Sequence, residues 1–298
     1  MIDYGETILI MACIYAIFSL GLNLEWGFTG LINFGHVAFF AIGAYTTVWL
    51  NLHGVPLVFA VPSGMGLAAF FGFLLGLPTL RLREDYLAIV TIGFSEIVGT
   101  FLLNEEWLTE GPYGLYGFDK PFGDWVSHDN YTLVFLAILV VTLGVVYFSL
   151  QRLVKSPWGR VLKSIREDEE VASALGKNVF SYKIQSLVLG SAIAGLAGAF
   201  LAFHLQYINP RSFLSIETFY AWIIVVLGGT ASNKGTIVGA LILWAFLEGT
   251  RFMPDFFPIE PYQEGALRIM IIGLLLMLLM MHRPQGILGT KEELTLDK

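Results

Sequence analysis

The sequence contains few charged residues for its length. Asp, Glu, Lys and Arg make up 14% of the 298 residues, whereas 56% are hydrophobic and the mean hydropathy is +0.70. An ordinary soluble domain has about 25% charged residues, so this composition excludes that class. Several stretches approach or exceed the roughly 20 apolar residues that a helix needs to cross a bilayer. The composition therefore predicts an all-α fold, a polytopic helical bundle in a membrane.

Cysteine is almost absent, and the short motifs of enzymes are missing. The single cysteine, Cys13, lies in the first apolar stretch, so an intrachain disulfide is impossible. No second His or Cys stands at a metal-ligand spacing from His36. Lys234 follows Gly228 and Gly229, but Gly235 comes next instead of the Ser or Thr of a phosphate loop. We therefore expect a transport protein with no catalytic residue, metal ion, cofactor or bound nucleic acid. The energy for transport is expected to come from a partner chain or an ion gradient.

Charged residues are distributed unevenly, and this predicts the orientation in the membrane. Acidic residues concentrate in residues 104–130, whereas a large share of the basic residues lies in residues 151–183. Cytoplasmic loops are enriched in Lys and Arg, so we expect an external loop over 104–130 and a cytoplasmic loop over 151–183. In this interpretation residues 1–298 form a single transmembrane domain with a first span over 7–24 and about eight transmembrane helices in total. The N-terminus is then outside and the C-terminus cytoplasmic.

Residues 27–50 have an unusual composition for a lipid-facing helix. Several glycines and the polar residues Asn33 and His36 interrupt the apolar residues. Such a segment is expected to be buried among other helices, and part of it to be broken or re-entrant. Asn33 and His36 are three residues apart, and thus on one face of a helix. They either contribute a polar lining that binds a zwitterionic ligand, or are buried with the histidine bonded to a backbone carbonyl.

Two further features are candidates for a substrate path. Glu96 lies near the middle of the predicted span 86–103, where a carboxylate is costly unless it faces protein, water or a cation. It either lines the path or forms a packing hydrogen bond with Ser or Thr on a neighbouring helix. Gly228 and Gly229 suit a tight turn or a broken helix whose amide groups bind a substrate carboxylate.

The basic loop 151–183 carries signals for two short helices. The first is predicted to follow Ser156 and Pro157, because Pro is favoured at the first position of a helix. For the second, Asp168 is the expected N-cap and Gly176 the left-handed residue that ends it. About two turns of helix are not stable in isolation, so we expect the second helix to pack against another element.

The same loop carries a family resemblance. Residues 170–176 read Glu-Val-Ala-Ser-Ala-Leu-Gly, which resembles the loop by which permease subunits of ABC importers dock on their ATPase subunits. Together with residues 30–45, 80–96 and 225–235, the loop is similar to the M-type permease subunit of branched-chain (LIV-type) ABC importers. Glu84, Gly99-Thr100 and residues 109–111 depart from the family pattern, and these departures concern the substrate more than the fold.

The resemblance implies a subunit of the bacterial inner membrane, surrounded by lipid, that pairs with a second homologous permease. It also implies two ATP-binding subunits on the cytoplasmic side and an extracytoplasmic substrate-binding protein. The docking residues that it implies are Arg166, Glu170, Ala172 and Gly176. The implied cargo is a branched-chain or other neutral amino acid, with urea or a short amide as the alternative. A proton-coupled secondary transporter that uses Glu96 is an alternative of a different class.

Overall fold

A computed structural model of the protein describes residues 2–80, 84–123, 126, 130–250 and scattered positions between residues 267 and 289. These residues are mainly helical. In chain order the helices are α1 (Ile2–Leu22), α2 (His36–Leu52), α3 (Leu57–Thr79), α4 (Glu84–Asn104), α5 (Glu106–Thr109), α6 (Tyr131–Lys155), α7 (Pro157–Glu167), α8 (Glu169–Ala174), α9 (Val179–Leu205), α10 (Ile216–Gly228) and α11 (Asn233–Gly249). A π-helical segment, Asn23–Phe28, continues α1, and 3-10 helices occupy Gly111–Tyr113 and Pro210–Phe213.

Among the described residues, six helical segments are long and apolar enough to cross a membrane: Gly5–Phe28, Leu57–Thr79, Tyr86–Asn104, Tyr131–Lys155, Val179–Leu205 and Pro210–Gly228. Helices α2 and α11 have 17 residues each, about 25 Å of helix. About half of the predicted last span, residues 265–281, lies outside the described residues. The all-α membrane bundle is confirmed, whereas the count of about eight is not. Termini on opposite sides also require an odd number of crossings, so eight crossings do not fit the predicted orientation.

Two short strands show which connections meet at one end of the bundle. β1 (Leu115–Tyr116) pairs antiparallel with β2 (Tyr207–Ile208). The connection between α4 and α6 therefore meets the connection between α9 and α10. At the other end, Asn233 at the start of α11 donates a hydrogen bond to Gln151 near the end of α6 (Nδ2–Oε1 3.2 Å). Helices α7 and α8 lie at this second end, because they follow α6 directly.

The centre of the bundle consists of α1, α2 and α9, and small residues let these helices approach closely. A Cβ atom added at Gly43 of α2 would lie 2.2 Å from the Cα atom of Gly195 in α9. A Cβ atom at Gly198 would lie 1.9 Å from the carbonyl oxygen of Phe40. Such backbone contacts are typical of membrane helices, which associate through close van der Waals packing. Helices α3, α4 and α6 are peripheral, and most of their residues are not buried.

The chain between α1 and α2 is not an α-helix. The π-helical segment is followed by an irregular loop, residues 29–35, in which Gly30 has a φ of +82°. This loop turns back on the π-helix, since the amides of Gly30 and Leu31 donate to the carbonyl oxygens of Trp26 and Glu25, both at 2.9 Å. Helix α2 begins only after the loop. The segment 27–50 is therefore broken, as its composition predicted.

Candidate docking loop and substrate path

Helices α7 and α8 are the two short helices predicted in the basic loop, and both pack against the bundle. The Asp168 carboxylate accepts a hydrogen bond from the amide of Val171 (2.9 Å), which is the predicted N-cap of α8. Ala172 of α8 is buried with Ile165 of α7 and Val179 of α9 in one apolar cluster. This cluster supplies the support that a helix of two turns lacks in isolation.

Gly176 follows α8 in the left-handed conformation, as predicted, with a φ of +78°. The next amide, that of Lys177, donates to the carbonyl oxygen of Ala172 (3.2 Å). A Cβ atom added at Gly176 would meet nothing within 4 Å, so backbone conformation alone creates the requirement for glycine. The other end of α8 is fixed by an ion pair between Glu169 and the buried ammonium group of Lys183 in α9.

The outward face of α8 combines apolar and acidic side chains. Val171 of α8 and Leu175, which directly follows the helix, are 52% and 72% exposed. They lie one turn apart, because the amide of Leu175 donates to the carbonyl oxygen of Val171 (3.0 Å). Glu170 is exposed on the same short helix. Exposed apolar side chains with a polar rim are typical of protein interaction sites.

Arg166 and Lys163 of α7 connect the docking loop to the π-helical segment. The Arg166 guanidinium donates a hydrogen bond to the carbonyl oxygen of Gly27. The Lys163 ammonium lies 5.8 Å from the centre of the Phe28 ring, within the range of a cation–π interaction. The loop after this segment is also close, because a Cβ atom at Gly30 would lie 3.5 Å from Cγ of Arg166. A displacement of α7 would therefore reach both the π-helix and the loop.

Glu25 in the π-helix is a buried carboxylate that the sequence analysis missed. Its Oε2 accepts a hydrogen bond from Asn33 Nδ2 (2.7 Å) and lies 3.4 Å from His36 Nδ1. Its Oε1 faces α9, where a Cβ atom at Gly190 would be only 2.2 Å away. The sequence signal that could have found it is the position of this acidic residue directly after the predicted first span, 7–24. In the structure the helical segment continues past it to Phe28. The described part of the chain holds no group of three or more His, Cys, Asp or Glu residues that could bind a metal ion.

Asn33 and His36 are both fully buried. His36 Nε2 lies 3.2 Å from the carbonyl oxygen of Phe18, and the two rings stack with their centres 4.8 Å apart. The carbonyl oxygen of Asn33 accepts a hydrogen bond from Trp222 Nε1 of α10 (3.2 Å). This geometry corresponds to the second sequence interpretation, a buried histidine bonded to a backbone carbonyl. Together with Glu25, the two residues hold the loop 29–35 between α1, α2 and α10.

Glu96 is exposed on α4, and its Oε1 accepts a hydrogen bond from the Ser215 hydroxyl just before α10 (2.9 Å). The loop 29–35 also contacts both helices. The amide of Phe34 donates to Thr91 Oγ1 of α4 (3.1 Å), and the Phe34 ring stacks on Trp222 of α10 at 4.9 Å. We call this surface the α4–α10 face, and it consists of Phe34, Glu96, Ser215, Phe219 and Trp222.

Gly228 and Gly229 form the tight turn that ends α10, which is one of the two structures expected for them. A Cβ atom at Gly228 would lie 2.1 Å from the carbonyl oxygen of Gly235. Gly229 has a φ of +109°, and its amide donates to the carbonyl oxygen of Val225 (2.9 Å). Close backbone packing at the end of the bundle that holds α7 and α8 accounts for both glycines.

Comparison with known proteins identifies the family. The family model for the permease component of the branched-chain amino acid transport system matches residues 4–280. The chain belongs to this permease family. It is 36% identical to the high-affinity branched-chain amino acid transport system permease protein LivM of Escherichia coli K12, over 93% of this chain and 68% of that protein. The probable LivM of Methanocaldococcus jannaschii is 28% identical over 99% of this chain and 96% of that protein. LivH of Escherichia coli K12 is 27% identical over 93% of this chain and 92% of that protein. No solved structure matches the chain.

Membership of this permease family has three consequences. The protein is a multi-pass membrane subunit for transport and not an enzyme. The interpretation as an ABC permease is confirmed over that of a proton-coupled transporter. Because a permease component works with the other subunits of its transport system, the protein requires partner chains.

Proposed function

We propose that this permease carries branched-chain or other neutral amino acids across a bacterial inner membrane as one subunit of an ATP-driven importer. It pairs with a second homologous permease, docks two ATP-binding subunits through α8 and its flanking residues, and receives its cargo from an extracytoplasmic binding protein. The names of the similar LivM and LivH proteins refer to branched-chain amino acid transport, which supports this choice of cargo over urea or a short amide.

The exposure of Glu96 is the observation that supports this function most directly. Glu96 lies in the middle of α4, one of the segments long enough to cross the membrane. A carboxylate directed at lipid at this depth is costly, so the α4–α10 face has to border protein or water. A second permease packed across this face would enclose Glu96 in a path between the two subunits. There the carboxylate can bind the ammonium group of an amino acid.

The rest of the α4–α10 face suits the apolar side chain of such a substrate. Phe219 is 49% exposed, and its ring centre lies 5.9 Å from that of Phe34. Aromatic walls bind an apolar side chain by removing its surface from water. Because Phe34 belongs to the loop 29–35, a movement of this loop would change the wall of the path.

Coupling to ATP hydrolysis runs from α8 through α7 to the same loop. An ATPase bound to the exposed face of α8 would displace α7 with it. Arg166 then moves Gly27, and the Glu25 carboxylate moves Asn33 and with it the loop up to Phe34. Each step is a contact between described residues, so the path can be tested one contact at a time.

The orientation that fits this proposal places residues 151–183 in the cytoplasm and residues 104–130 outside. The N-terminus is then outside and the C-terminus cytoplasmic. The concentration of Lys and Arg in residues 151–183 supports this orientation. The pairing of β1 with β2 supports it too, since it places Leu115–Tyr116 at the end of the bundle opposite to α8.

Reconstitution of the purified complex in liposomes tests the proposed function. With the binding protein on the side of residues 104–130, we expect uptake of radiolabelled leucine that requires ATP and continues when an uncoupler is added. Unlabelled valine and isoleucine should compete with leucine, and urea and acetamide should not. Competition by urea alone would identify an amide permease instead. Uptake that is independent of ATP and collapses with the uncoupler would refute the importer.

A further inference from the structure

One face of α6 forms an apolar trough that leads to a basic end. Val141, Gly144, Val145, Phe148, Arg152 and Lys155 recur at spacings of three and four residues, so they line one side of the helix. Val145 and Phe148 are 61% and 66% exposed. Gly144 deepens the trough, because a Cβ atom added there would meet nothing within 4 Å.

Three neighbouring pockets make the trough and the basic end continuous. The first, of about 420 Å³, lies between Val141 and Arg152, and the second, of about 370 Å³, shares Phe148 and Arg152 with it. The third, of about 490 Å³, shares Gln151 and Lys155 with the second. Its lining adds three further basic residues, Arg160, Lys163 and Lys234. Among the described residues, no acidic side chain lines any of the three pockets.

We propose that this surface is a binding site for one anionic phospholipid molecule. An acyl chain lies in the trough along Val141, Gly144 and Phe148, and the phosphate group is bound by Arg152 and Lys155. Phe148 and Lys155 are seven residues apart, about 10 Å along the helix, so the apolar and the charged part of one lipid can reach both. Basic pockets at the membrane surface bind anionic headgroups in this way.

The trough distinguishes a lipid from other anions. A free phosphate ion would use the basic pockets and leave the apolar groove unused. An acidic surface of an ATPase would contact the exposed ends of α6 and α7, and it would not enter the membrane beside Gly144. The lipid site depends on the proposed function in one respect, the membrane topology. It requires that α6 cross the bilayer with Lys155 at the membrane surface. It is independent of the cargo.

The bound lipid would also connect three elements of the docking end. The third pocket is lined by α6 through Lys155, by α7 through Arg160 and Lys163, and by the start of α11 through Lys234. A phosphate group at this place can accept charge-assisted hydrogen bonds from basic side chains of more than one of these elements. We therefore expect the bound lipid to stabilise the packing of α7 beside α6 and α11.

Native mass spectrometry of the intact, delipidated transporter complex tests the site. The complex is titrated with phosphatidylglycerol, with zwitterionic phosphatidylethanolamine, and with phosphatidylglycerol in the presence of excess inorganic phosphate. We expect at least one phosphatidylglycerol molecule to bind about tenfold more tightly than phosphatidylethanolamine. Inorganic phosphate should not displace it, because the phosphate ion gains nothing from the trough.

Two variants test the contributions of the basic residues and of the apolar trough separately. R152Q/K155Q should abolish the preference for phosphatidylglycerol, and G144L should weaken binding although all charges remain. R211Q and G66L are the matched controls, because Arg211 is exposed outside the pockets on the 3-10 helix Pro210–Phe213, and Gly66 lies on another helix with free space around it. Both controls should bind as the unaltered complex does.

Equal binding of the two lipids, displacement by inorganic phosphate, or a G144L complex that binds normally would each overturn the proposal. If a variant complex does not assemble, photoactivatable phosphatidylglycerol is cross-linked to the unaltered complex. Labelling of residues 141–155 supports the site, and labelling elsewhere alone overturns it. Leucine uptake is measured in parallel, so loss of transport with normal lipid binding would count against the proposed function and leave the lipid site standing.

Discussion

The guanidinium group of Arg166 donates a hydrogen bond to the carbonyl oxygen of Gly27 and thereby joins α7 to the π-helix that follows α1. A π-helix bonds its backbone at a spacing of five residues instead of four, and short π-helical segments within α-helices occur frequently at functional sites. The same π-helix carries Glu25, which bonds the loop 29–35 through Asn33. Two side-chain contacts, Arg166 with Gly27 and Glu25 with Asn33, therefore connect α7 to the loop 29–35 through the π-helix.

Replacement of Arg166 should uncouple transport from ATP hydrolysis. In R166Q the bond to Gly27 is weakened, and loss of a hydrogen bond from a charged donor costs about 1.5 kcal/mol at an exposed position. We expect leucine uptake to fall about tenfold while the ATPase subunits still co-purify and hydrolyse ATP. R166K keeps the charge and one donor and should retain part of the activity. Normal uptake by R166Q would remove Arg166 from the coupling path.

Replacement of Gly176 should release the ATPase subunits. A residue with a Cβ atom in the left-handed conformation costs about 1 to 2 kcal/mol, and a β-branched residue is especially unfavourable there. G176V should therefore insert normally but lose co-purifying ATPase. The control is G176N, because asparagine tolerates this conformation. Co-purification of the ATPase with G176V at the unaltered level would contradict the assignment of α8 as the docking helix.

Gly190 should not tolerate even a methyl group. A Cβ atom there would overlap the Glu25 carboxylate, with only 2.2 Å between Cβ and Oε1. The cost of such overpacking is about 1 to 3 kcal/mol, so G190A should lower the thermal stability of the purified permease. G66A is the control, since a Cβ atom at Gly66 of α3 meets nothing within 4 Å. Adding E25A to G190A removes the overlapping atoms, so the combined loss should be smaller than the sum of the single losses.

Glu96 should control affinity for the cargo more than assembly. E96Q removes the negative charge but can still accept a hydrogen bond from Ser215, so the helices should pack normally. Loss of a charged partner for the ammonium group costs about 1.5 to 3 kcal/mol, which raises the half-saturating leucine concentration roughly 10- to 100-fold. E96D keeps the charge and should show a smaller change. A variant E96Q with unaltered uptake at all leucine concentrations would exclude Glu96 from the path.

Local sequence signals predicted the two short helices of the basic loop well. Asp168 caps α8 and Gly176 follows it in the left-handed conformation, because capping depends on residues within one turn of each other. The broken segment 27–50 was also predictable, since glycines and polar residues interrupt its apolar pattern. The number of spans was not, because α2 is short and the helical segment of α1 continues past Glu25.

The roles of the polar residues depended on distant partners. The sequence left open whether Asn33 and His36 line a path or are buried, and in the structure both are buried beside Glu25, which accepts a hydrogen bond from Asn33 and lies 3.4 Å from His36 Nδ1. Glu96 finds its partner in Ser215, 119 residues later in the chain. Spacing along one helix contains no information about such pairs.

The sequence by itself determined that the protein is a helical membrane permease with a capped short helix in its basic loop. These properties follow from composition and from interactions within one helical turn. Only the tertiary structure decided that Glu25 of the π-helix contacts Asn33 of the loop 29–35, and that the exposed face of α6 leads to a basic end. The physical reason is that both features require helices far apart in the chain to pack together. Such packing buries a carboxylate beside its partner, and it places the pockets of α6, α7 and α11 next to one another.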